Sequence, residues 1–102
     1  MSELKVQIIE FVDASQPGWV RCSFSDAFGR EKFFTEKVPI VTVQYLSEKS
    51  IYPQKGSVSC TIEGNIADTQ QHEIITINTD IPLGISTEDG QTIFKVFRNQ
   101  IE

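Results

Sequence analysis

The stretch WVRCSFSDAFGREKFFTEK, residues 19–37, decides the fold class. Its first half alternates between apolar and polar side chains, so one face of an extended chain over 19–25 is apolar. The residues on that face are Val20, Cys22 and Phe24. A two-residue period of this kind predicts a strand with one buried face. Residues 26–29 have the composition of a tight turn, and a second strand is predicted over about 30–37. The stretch therefore predicts a β-hairpin.

Similar patterns continue on both sides of the hairpin. Further strands are predicted over about 4–12, 56–63, 72–79 and 92–98. In the first of these the apolar parity shifts at Ile9, which predicts a bulge or a strand buried on both faces. In 72–79, one of Ile74, Ile75 and Ile77 must face away from the main core.

Three segments break the alternation. Between 42 and 49 the apolar residues suit one short helical turn, and we expect a helix there with Thr42 as its N-cap. The polar segment 64–71 predicts a hairpin loop. The tail, 99–102, is expected to fray.

The composition supports the same fold class. Val, Ile, Thr, Phe, Tyr and Trp make up 39 of the 102 residues, whereas Ala, Leu and Met make up 7. β-branched and aromatic side chains suit a pleated, half-buried surface, so a helical bundle and a βαβ repeat are excluded. The chain is therefore predicted to be a single all-β domain over 1–102. Its architecture is expected to be an antiparallel β-sandwich or small open barrel of six to seven strands with one short helix.

The charge is negative and unevenly distributed. The formal net charge is −5, from nine Lys and Arg and fourteen Asp and Glu. No Lys or Arg lies between Lys55 and Lys95, where the sequence carries six acids. Such a stretch suits either a solvated surface or a patch that attracts a basic partner. For the second case the candidate partner-binding residues are Asp68, Glu73, Asp80, Glu88 and Asp89, with Tyr52 and Ile74 as apolar anchors.

Chemistry-bearing motifs are absent from the sequence. His72 is the only histidine and lies in a predicted strand, and Cys22 and Cys60 have no zinc-ligand spacing with it. No glycine-rich phosphate-binding motif is present. We therefore expect no catalysis, no metal and no cofactor.

Nucleic-acid binding is disfavoured but gives an alternative hypothesis. A five-stranded barrel that binds single strands presents a basic and aromatic face. The residues that could form one are Arg21, Arg30, Lys32 and Lys37 beside Trp19, Phe28, Phe33 and Phe34. Glu31 and Glu36 interrupt this group, and the whole molecule is acidic. The alternative is a small β-barrel adaptor or nucleic-acid-binding module.

The two cysteines bear on the compartment. Both fall on predicted inward faces, so buried thiols are expected rather than a disulfide. The N-terminal sequence lacks the pattern of a secretion signal, and no apolar run reaches the length of a membrane span. We expect a cytoplasmic protein that does not contact membranes.

Several blocks of the sequence resemble small bacterial β-proteins. These are WVRCSFSDAFGR at 19–30, EKVPIVT at 36–42, YPQKG at 52–56 and TDIPLGIS at 79–86. Some such proteins resemble immunity proteins, which neutralise contact-dependent or other polymorphic toxins inside the cell. The resemblance implies an antitoxin-like protein that binds and blocks a toxin domain, a basic nuclease in our hypothesis, through its acidic surface. It carries over no inhibitory residue.

Overall fold

The computed structural model describes residues 2–69 and 72–102, with side chains described over 2–64 and 73–102. Six strands and one short helix follow in chain order: β1 (Ser2–Asp13), β2 (Trp19–Ser25), β3 (Glu31–Lys37), α1 (Val38–Val41), β4 (Gln54–Thr69), β5 (His72–Asn78) and β6 (Ile93–Phe97). A 3₁₀ turn, Arg98–Gln100, follows β6. The predicted all-β class is confirmed.

The six strands form one sheet in the order β3-β2-β1-β4-β5-β6. Every neighbouring pair is antiparallel. The sheet curls into a half-barrel, so the open-barrel form of the prediction is correct and the two-sheet sandwich is not. The molecule is elongated, 43 × 24 × 24 Å along its principal axes.

Contacts between distant segments hold the curled sheet together. The Glu88 N–H donates to the Phe33 carbonyl oxygen at the β3 edge over 2.8 Å, and the Ala27 N–H donates to Lys95 O at the β6 edge over 2.7 Å. We call these two contacts the closure seam.

The C-terminal tail also docks, because Ile101 forms a β-bridge with Leu4. The expectation of a frayed tail is therefore wrong, since the tail gains backbone partners on β1.

The core is the apolar face of the sheet. Its fully buried members include Leu4, Ile8, Val20, Cys22, Phe34, Val58, Cys60, Ile75, Ile77 and Val96. The expected parity shift in β1 is a register shift between Ile8 and Glu10, so the bulge alternative is correct. Ile74 is buried outside this core, opposite Phe97, as predicted for one residue of that strand.

The short helix lies earlier than expected. It spans Val38–Val41 rather than 42–49, and Thr42 is its extended C-cap instead of its N-cap. Pro39 sits in the first helical turn, where its missing N–H costs no hydrogen bond. Val38 and Val41 are buried, so tertiary packing stabilises this single turn.

The predicted loop over 64–71 is largely strand. β4 continues to Thr69 and pairs with β5, which begins at His72; residues 70–71 lie outside the described part of the chain. Backbone hydrogen bonds between strands do not require an apolar face, so a polar sequence can pair without showing the two-residue period.

Candidate protein-binding surfaces

The six acids between Lys55 and Lys95 do not form one group. Glu88 accepts two hydrogen bonds from the Arg21 guanidinium, at 2.8 and 2.9 Å, and Asp89 lies 3.3 Å from Lys32 Nζ. The Arg21 hydrogen bond lowers the pKa of Glu88, and the hydrogen bond from the Thr87 hydroxyl is the main cause of the lowered pKa of Asp89. Both carboxylates already have cationic partners beside the closure seam, so they are the least available for another protein.

Three of the other four acids belong to one structural unit. We call the paired segments Thr61–Thr69 of β4 and His72–Asn78 of β5 the ribbon. Glu63 and Asp68 lie on its first strand and Glu73 on its second, and Asp80 follows two residues after it. The side chain of Asp68 lies outside the described residues. The two strands of the ribbon contain no Lys or Arg themselves, and Lys95 of β6 pairs with Thr76 of the ribbon.

At the end of the ribbon that contains Asn78, this side chain contacts the Glu63 carboxylate and the backbone of Asp80. Asn78 Nδ2 donates to Glu63 Oε2 over 3.3 Å, and Asn78 Oδ1 accepts the Asp80 N–H over 2.9 Å. Glu73 is exposed near the other end of β5, about 17 Å from Asn78 along the strand at roughly 3.3 Å per residue. The ribbon is therefore an acidic surface spread along one elongated element.

The two predicted apolar anchors are not exposed anchors. Ile74 is only 7% exposed. Tyr52 packs against the core, and its hydroxyl donates to Ser47 O over 2.7 Å. Both side chains already stabilise the fold, which corrects the expectation that they face a partner.

Large exposed apolar side chains occur instead in the connection 42–53, between α1 and β4. Val43 is fully exposed, Tyr45 is 89% exposed and Ile51 is 84% exposed. Leu46, in the same segment, is buried. The failed alternation over 42–49 predicts a helical turn, because the sequence does not show which of these apolar side chains are exposed and which are buried.

Hydrogen bonds hold this apolar connection in place. The Ser50 N–H donates to Ser47 O over 3.1 Å, and the Ser47 N–H donates to Ser50 Oγ over 3.0 Å. Gln54 Nε2 donates to Ile51 O over 2.9 Å. Exposed apolar side chains on a supported backbone lose little entropy on binding, which is typical of protein-contact sites.

An open cleft of about 950 Å³ lies next to the connection. Val43 and Ile40 form part of its apolar wall, while Lys5, Lys55 and Glu3 lie among its charged lining residues. Glu3 accepts a hydrogen bond from the Ser57 hydroxyl, and Lys5 donates to Asn99 O. These residues do not form a cluster of catalytic side chains. Because both Lys and Glu line the cleft, its charge favours neither an anionic nor a cationic ligand.

Most of the basic residues in the predicted basic and aromatic group form ion pairs with acids. Arg21 lies 4.2 Å from the centre of the Phe33 ring while it binds Glu88, and Arg30 lies over Phe28 while it binds Asp26. Lys37 lies over Trp19, and Phe34 is in the core. Since three of the four cations already have carboxylate partners, this face offers little free positive charge to phosphates.

Both thiols are buried and free. Burial raises the pKa of Cys22 to about 12 and also raises the pKa of Cys60. Within the described residues no three His, Cys, Asp or Glu side chains gather as a metal site. The side chain of His72 lies outside the described residues. No helix in the described part of the chain is long and apolar enough to cross a membrane.

Comparison with models of protein families, with curated proteins and with solved structures found no match to this chain.

Proposed function

We propose that this protein is an immunity-type inhibitor that binds a toxin domain, a basic nuclease, and blocks it without chemistry of its own. The observation that carries this proposal is the ribbon, which bears Glu63, Asp68 and Glu73 with no cation between Lys55 and Lys95. Carboxylates concentrated on one element attract a positively charged protein over long range and accelerate its association. The free thiols suit a reducing cytoplasm, which is where we place the protein.

Charge reversal tests the proposal, with a control of equal net charge. The ribbon variant Glu63→Lys/Glu73→Lys/Asp80→Lys changes the charge by +6, from −5 to +1. The control Glu10→Lys/Glu31→Lys/Glu102→Lys makes the same change at exposed acids outside the ribbon and outside the connection 42–53. Each protein is immobilised and used to capture proteins from cells of its native host, at low and high salt.

The expected result is a basic protein that wild type and control retain and the ribbon variant loses. Its capture should weaken with salt because exposed charges are screened. The captured protein is then purified and its nuclease activity is titrated, with full inhibition expected at one inhibitor per toxin. Equal capture by both triple variants, or a captured protein whose activity does not change, contradicts the proposal.

A second candidate function is that of an adaptor with two binding surfaces. The apolar connection supports it, because this surface and the ribbon lie at opposite ends of the 16-residue strand β4. The variant Val43→Ser/Tyr45→Ser should then lose a set of captured proteins different from the set that the ribbon variant loses. If both variants lose the same protein, one partner covers both surfaces and the adaptor is ruled out.

A further inference from the structure

The edges of the curled sheet differ in how well they are covered. The closure seam covers β3 at Phe33 and β6 at Lys95. β1 pairs with β4 as far as the Ser2–Cys60 pair. From Thr61 to Thr69, β4 pairs with β5 on one side, and no strand of the described chain lies on its other side. This part of β4 is therefore an open strand edge.

An open strand edge presents backbone N–H and C=O groups that need hydrogen-bond partners. Its outward N–H and C=O groups can be satisfied by water or by another extended backbone, which adds as a further strand. Ile62 and Gly64 are exposed, so nothing in the described chain covers the start of this edge. Register shifts between Ile62 and Gly64 and between Ile66 and Thr69 interrupt this edge, and because such bulges oppose pairing with a long strand, an added strand must be short.

The charge of the edge selects its occupant. Glu63 and Asp68 lie on β4 itself, and Glu73 lies on the neighbouring strand. A second copy of the chain, added edge to edge, would bring two acidic strands side by side, and like charges across strands are destabilising. A segment with Lys or Arg would instead place opposite charges together.

We propose that the open edge of β4 binds a short extended segment of a partner protein, rich in Lys or Arg, as an added antiparallel or parallel strand. This inference rests on the proposed function for the charge of the partner. It adds the mode of recognition. The partner segment forms backbone hydrogen bonds along 61–69, and the ribbon carboxylates favour positively charged side chains on that segment.

The probe is an eight-residue peptide of alternating lysine and threonine with blocked termini. The matched control is the same peptide with N-methyl groups on every second backbone nitrogen, which removes the outward donors of one edge and keeps the charge. Binding is measured by titration, and amide hydrogen exchange of the full chain is followed by NMR. The expected result is protection of amides within 61–69 and at least tenfold weaker binding of the methylated peptide.

Other outcomes overturn the inference without deciding the proposed function. Equal, salt-sensitive binding of both peptides means that charge alone attracts the segment, which leaves the inhibitor proposal intact. Binding of neither peptide at millimolar concentration excludes strand addition here. Protection of the same amides that rises with protein concentration, without peptide, assigns the edge to self-association. Failure of the inhibitor proposal is seen separately, in the capture experiment.

Discussion

Replacement of Gly56 by alanine tests how closely α1 approaches the sheet. A Cβ added at Gly56 would lie 2.9 Å from Val41 O and 2.9 Å from Ile8 Cδ1. Carbon atoms in contact lie about 3.5–4.0 Å apart, so the Ile8 side chain must move by about 0.6–1 Å. The Val41 carbonyl belongs to the backbone, so α1 must move away from the sheet as well. Overpacking of this size costs about 1–3 kcal/mol. Because α1 leads into the apolar connection, the variant should also displace Val43 and its neighbours.

Gly64→Ala is the matched control on the same strand. No atom lies within 4 Å of a Cβ added there, so alanine should stabilise the protein by about 0.4–1 kcal/mol through the unfolded chain. Both free energies of unfolding are measured by guanidinium chloride titration with a common slope. A thermal scan should show Gly56→Ala lowering Tm by on the order of 10 °C.

A double variant separates the two close contacts at Gly56. Ile8→Val removes Cδ1, so Gly56→Ala/Ile8→Val should lose less stability than the sum of the two single changes. The contact with the Val41 carbonyl remains, and so does the 3.0 Å contact with Cγ1 of residue 8, which valine keeps, so rescue should be partial. The reasoning is refuted if Gly56→Ala is as stable as Gly64→Ala, since the backbone would then not be as close as the structure places it.

Three further predictions concern other parts of the fold. Burial raises the pKa of Asp26, but N–H donors from Arg30 and Phe28 and the Arg30 guanidinium outweigh it, so the folded pKa is lowered. Asp26→Asn should therefore cost about 1–3 kcal/mol at pH 7 in denaturant titrations. That cost should shrink as the pH falls below about 4 through the folded pKa, and a cost constant down to pH 2 would contradict this sign. Cys22, with a pKa of about 12, should resist iodoacetamide at pH 8 until the protein unfolds; rapid labelling of the native state would show that the thiol is accessible. Tyr45→Ser should leave the unfolding free energy within about 0.5 kcal/mol, whereas Leu46→Ala, one residue on, should cost about 2–4 kcal/mol; equal effects would mean that the connection is packed differently.

The sequence by itself determined the local elements of the core. The alternation over 19–25 placed β2 at its observed bounds and put Cys22 inside, because side chains of a strand alternate whatever that strand pairs with. The apolar parity shift at Ile9 likewise located the bulge of β1, because a bulge changes which residues face the core. These features depend on neighbours in the chain, so periodicity could reveal them.

Only the tertiary structure decided which polar and apolar residues are free to bind. Glu88 and Asp89 looked like the other acids of their stretch, but their partners Arg21 and Lys32 lie 67 and 57 positions away. Tyr45 and Leu46 are adjacent apolar residues, yet one is exposed and the other is buried, because only Leu46 reaches the core. Availability depends on contacts between distant segments. Composition and spacing carry no signal of those contacts, so only the folded chain shows which side chains are exposed and unpaired.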